Sequence, residues 1–139
     1  MQLTPRLSRS QAIGLALWSI LACELTLTTY YSLVPTVPKL IESIWDKLLH
    51  ASAYFLLSST LFFCAAWRPH WRSPNQKRGI FLSFLFPISW GGSIELFQAF
   101  SPKRHFSFLN LFADALGALI GVSFCLFLES KLGEHTWNS

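Results

Sequence analysis

Four apolar runs dominate the chain, at residues 11–31, 48–67, 79–100 and 109–128. Each is close to the ~20 residues that a helix needs to cross ~30 Å of hydrocarbon. Within hydrocarbon a backbone must satisfy its own polar groups, which leaves only helices or closed barrels. These runs lack strict alternation and are about twice the length of a barrel strand, so they read as helices. The expected fold is all-α: an integral membrane bundle of four transmembrane helices, with residues 1–139 as one domain. Prolines punctuate the connections at Pro35, Pro38, Pro69, Pro74 and Pro102. Pro87 falls inside the third run, with Gly91 and Gly92 one turn on, and is expected to kink that helix.

Composition agrees. Hydrophobic residues make up 52% of the 139 positions and charged residues 13%, about half the share of a soluble domain. The net charge of +4 sits in short loops rather than on a basic stripe interleaved with aromatics, so nucleic acid is not an expected partner. Cys23, Cys64 and Cys125 all lie within apolar runs and read as small filler. No Cys or His spacing suggests zinc, and neither metal nor cofactor is expected. Arg6 and Arg9 before an apolar stretch resemble a signal peptide, but the stretch continues well past Cys23, so it reads as a retained helix. With the N-terminus inside, cytoplasmic segments hold Arg6, Arg9, Arg68, Arg72, Lys77, Arg78 and Lys131. Outer ones hold Lys39, Lys47, Lys103 and Arg104. That balance places both termini in the cytoplasm of a bacterial-type inner membrane.

Against this apolar background three polar clusters stand out: Asp46-Lys47-x-x-His50, Glu95-x-x-Gln98, and Arg104-x-x-Ser107-x-x-Asn110-x-x-x-Asp114. On the expected topology all fall at the outer rim, with Glu95 and Asp114 roughly 5–10 Å below the boundary. An ionised side chain at a helix centre costs about 2.5–3.5 kcal/mol. Such groups persist where they face one another, water or a ligand. Asp46, His50 and Tyr54 form one stripe. Gly91, Glu95 and Gln98 share a face, as do Asn110, Asp114, Gly117 and Gly121. The Gly117-x-x-x-Gly121 step permits close helix approach, so the polar face of the fourth helix should also be its packing face. Each residue also has a bland account. Asp46 and Lys47 suit a helix cap, His50 a packing histidine, and Arg104 an ion-pair partner for Glu95 or Asp114. Glu24 either joins the cluster or pairs with Lys47.

The ordered set from Asp46-Lys47-x-x-His50 through Glu95-x-x-Gln98 to Arg104 and the Asn110/Asp114 step resembles the VanZ-like family, named after a teicoplanin-resistance protein. The resemblance covers the second to fourth helices. It implies a small multi-pass envelope membrane protein, with one member linked to glycopeptide resistance. The family pattern ends in Asp-x-x-x-Asn, whereas this chain has Asn110 and Asp114, which moves the carboxylate about 6 Å deeper.

Three functions follow as expectations. In the first, a pocket at the outer leaflet binds an anionic membrane lipid or lipid-linked envelope precursor. Lys47, Lys103 and Arg104 would meet phosphate, and His50, Gln98 and Asn110 would give neutral hydrogen bonds. In the second, the protein is an enzyme acting on a lipid-linked envelope substrate, with His50 as base and Glu95 or Asp114 as orienting carboxylate or acid. In the third, buried carboxylates relay protons in a transporter, for which a homo-oligomer would supply the room that one four-helix unit lacks.

Overall fold

A computed structural model of the protein describes residues 8–33, 44–66, 76–100 and 106–135. They form four helices: α1 (Arg9–Leu33), α2 (Ile44–Ala66), α3 (Gln76–Ala99) and α4 (Phe108–His135). All four are long and apolar enough to span a bilayer, and the chain is a multi-pass membrane protein. Large apolar side chains such as Trp18, Leu27, Phe81, Phe97, Phe112 and Phe127 point away from the bundle, as a lipid-facing surface requires.

Helix starts follow local chemistry. Ser8 and Gln11 form a reciprocal cap at the head of α1. The Gln11 N–H donates to Ser8 Oγ (3.3 Å) and the Ser8 N–H to Gln11 Oε1 (2.9 Å). Ser107 caps α4 by accepting the Asn110 N–H at 3.3 Å. Two boundaries differ from expectation. Helix α2 starts at Ile44 rather than near residue 48, with Asp46 and Lys47 in its first turn. Helix α4 runs on to His135, because nothing between Leu128 and Gly133 breaks a helix.

Helices α2 and α4 are the tightest pair. A Cβ placed on Gly117 would strike the Ala51 backbone carbonyl, and one on Gly121 would lie 2.7 Å from the Phe55 carbonyl oxygen. The expected packing role of the G-x-x-x-G step is therefore met against α2. Pro87 is buried inside α3, which continues through it. Proline lacks the N–H that would reach the Ser83 carbonyl four residues back. The Ser58 hydroxyl of α2 supplies the missing donor, shared between the Ser83 carbonyl (2.7 Å) and the Ala118 carbonyl of α4 (3.1 Å). One serine thus ties three helices at a fully buried point.

Helix α1 is peripheral. Among the described residues it packs on α2 and α3 and does not touch α4. Leu21 is its one buried residue, set against Tyr54, Leu57 and Cys64. Trp90 Nε1 donates to Thr29 Oγ1 at 3.2 Å, and Thr60 donates to Glu24 Oε1 at 3.0 Å. Cys64 and Cys125 are buried, Cys23 is exposed, and all three are unpaired.

Candidate functional site

The first turns of α2, the last turns of α3 and the first turns of α4 meet at one end of the bundle. Helix α4 opens against Glu95 of α3. One Glu95 oxygen accepts the Ser107 backbone N–H at 2.8 Å, a carboxylate at a helix N-terminus where the dipole favours it. The other accepts from Asn110 Nδ2 at 2.9 Å. The Asn110 carbonyl oxygen in turn accepts a hydrogen bond from Lys47 Nζ, which also donates to Asp46 Oδ2 at 2.9 Å. An amide is what position 110 requires: its NH2 faces a carboxylate and its oxygen faces an ammonium. A carboxylate there would oppose Glu95.

His50 forms the second branch. Its Nδ1 lies 2.8 Å from Asp114 Oδ1, and its Nε2 lies 3.9 Å from Asp46 Oδ1. Asp114 and Glu95 are each 1% exposed, whereas the side chains of His50, Asp46 and Lys47 are 18%, 31% and 35% exposed. The site therefore has a fully buried acidic floor and a half-exposed edge made by α2. Asp114 Oδ2 is buried and has no hydrogen-bond partner among the described residues. It faces Gly91, where an added Cβ would come within 2.5 Å of it and within 2.8 Å of the Tyr54 hydroxyl. The missing side chain at Gly91 makes room for both groups.

Of the residues expected at the site, Asp46, Lys47, His50, Glu95, Asn110 and Asp114 are joined in one network. Gln98 turns elsewhere and donates from Nε2 to the Ser32 carbonyl in the last turn of α1, at 2.6 Å. Arg104, with Lys103, lies outside the described residues. Glu24 neither joins the cluster nor pairs with Lys47. Its partner Thr60 is ten residues along α2 from His50, about 15 Å deeper, and Glu24 Oε2 is buried with no hydrogen-bond partner among the described residues. Ser107, Tyr54 and Gly91 also belong to the site, although the sequence patterns offer them only as neighbours of the expected site residues. A serine three residues before Asn110 at a helix start is the available sign for the first. Among the described residues no three His, Cys, Asp or Glu side chains converge as metal ligands.

Chemically, the network presents both hydrogen-bond donors and acceptors at its half-exposed edge. The His50–Asp114 pair can also carry a proton, since the buried carboxylate fixes the imidazole while Nε2 faces the edge. No protein-family model matches the chain, and no curated protein or solved structure is significantly similar to it.

Proposed function

We propose that the chain is a VanZ-like envelope protein of a bacterial-type inner membrane. Both termini would be cytoplasmic, and the polar network would lie in the outer leaflet. The site takes the headgroup of a membrane lipid or lipid-linked envelope precursor, with Lys47 and Arg104 meeting its phosphate. The observation that carries this is the burial of Glu95 and Asp114, each 1% exposed, on separate helices that converge on one half-exposed edge. Two buried carboxylates are more than helix packing requires, and the edge they support is built from ionisable groups. The test is binding of a panel of envelope lipids to the full chain in nanodiscs, beside Arg104→Ala and Lys47→Ala. The expected result is a headgroup preference that both variants weaken. Equal binding of all headgroups by wild type and variants would sink the proposal.

The 2.8 Å His50–Asp114 contact favours a second reading, in which His50 acts as base on the bound headgroup. In that case His50→Gln abolishes turnover of a lipid-linked substrate while binding persists. Wild-type protein that leaves every bound envelope lipid chemically unchanged would remove the enzymatic reading.

A further inference from the structure

At the edge of the network a ring atom and a carboxylate atom face each other with no donor between them among the described residues. His50 Nδ1 lies 2.8 Å from Asp114 Oδ1; a neutral ring that donates there from Nδ1 has Nε2 as a lone-pair acceptor. Opposite it, 3.9 Å away, is Asp46 Oδ1. Lys47 bonds the other Asp46 oxygen, Oδ2, so Oδ1 has no hydrogen bond among the described residues. A donor nitrogen placed about 2.9 Å from each atom fits astride that gap, with both N–H···acceptor angles about 160°, inside the preferred range.

Charge decides which donor. The network contains the carboxylates of Asp46, Glu95 and Asp114 and, among the described residues, one permanent cation, Lys47. Asp114, directly behind His50, keeps its Oδ2 buried and unpartnered. Asp46 Oδ1 is an anionic acceptor, and beside the buried carboxylates of Glu95 and Asp114 a cationic donor is held more strongly than a neutral one. Lys47 adds a second constraint. Its ammonium has three N–H groups, of which Asp46 and Asn110 take two. The third is available to an anionic oxygen beside the cation.

We propose that Asp46 Oδ1 and His50 Nε2 form a receptor for a primary ammonium, with Lys47 holding an adjacent phosphate. The ligand is therefore an aminoalkyl phosphate headgroup of the phosphoethanolamine type. This rests on the headgroup-binding function proposed above and names the ligand class. A quaternary ammonium does not satisfy the site, because it has no N–H to give to either acceptor.

The experiment is a titration of the full chain in detergent with short-chain phosphatidylethanolamine, its N-methyl and N,N-dimethyl derivatives, phosphatidylcholine and phosphatidylglycerol. Soluble O-phosphoethanolamine serves as competitor. The ethanolamine lipid should bind on the order of tenfold more tightly than phosphatidylcholine, the loss of charge-assisted hydrogen bonds being the difference. Affinity should decline along the methylation series, and Asp46→Asn, which removes the anionic acceptor, should remove the preference. Competition by O-phosphoethanolamine identifies the headgroup as sufficient. A requirement for acyl chains identifies the intact lipid, and either result upholds the ammonium contact. Equal affinity for phosphatidylcholine, or a preference that survives Asp46→Asn, overturns the proposal. Tighter binding of phosphatidylglycerol overturns it while leaving headgroup binding standing, whereas no discrimination among any of the lipids overturns both.

Discussion

Asn110 shows how one atom type organises the site. Its amide donates to Glu95 on α3 and accepts from Lys47 on α2, so it translates between an acid and a base that never meet directly. Replacing it by aspartate sets two carboxylates at hydrogen-bond distance. Asn110→Asp is expected to lower stability in detergent by roughly 1–3 kcal/mol, the penalty of a buried polar group losing its partner. Adding Glu95→Gln should recover most of that loss, because the glutamine amide can donate to the carboxylate introduced at position 110. Thermal unfolding of both single variants and the double variant checks this, and an Asn110→Asp protein as stable as wild type would contradict it. The amide at 110 and the carboxylate at 114 each suit their neighbours: Asn110 lies between Glu95 and Lys47, and Asp114 meets His50. Which residues share a face was legible from spacing. Which atoms pair was not, because that depends on helix rotation and rotamer, and Gln98 accordingly spends its amide on α1 rather than on its neighbour Glu95.

At the scale of elements, hydropathy located all four helices, and the errors lay at their ends. Charged residues such as Asp46 and Lys47 look like the end of an apolar run, yet they extend α2 because their charges are satisfied by partners on the same and adjacent helices. Pro87 reads in the sequence as a kink, and what the sequence does not disclose is the compensation. The Ser83 carbonyl it orphans is met from another helix by Ser58, a pairing 25 residues distant. Ser58→Ala should cost on the order of 1–3 kcal/mol. In a Pro87→Ala background, where residue 87 regains its own N–H, the same substitution should cost distinctly less. A double-mutant cycle on thermal stability measures the difference, and additive effects would show that Ser58 does not serve the proline.

At the scale of the molecule, the four helices divide unequally. Backbone contact at Gly117 and Gly121 joins α2 to α4, and Ser58 binds α3 to both. Among the described residues, helix α1 rests on them through buried Leu21, partly buried Leu17 and Leu25, and side-chain hydrogen bonds from Thr60, Trp90 and Gln98. Segments with few buried contacts open first. Amide hydrogen exchange in detergent should therefore find α1 less protected than the middle of α4, and Gln98→Ala should widen that gap. Uniform protection across all four helices would refute this hierarchy. The bundle as a class of fold was readable from the number and length of the apolar runs. The peripheral place of α1 was not, since its run resembles those of α2 and α3 in hydropathy and differs from them in the small and polar residues it brings into contact.

Glu24 has a consequence for how the molecule is made. Its hydrogen-bond donor, Thr60, lies 36 residues later in the chain. Synthesis proceeds from the N-terminus, so when α1 leaves the ribosome its one carboxylate has nothing to lean on, and α1 alone is a poor candidate for release into lipid. Entry of α1 together with α2, as a hairpin, would cover the acid as it reaches lipid.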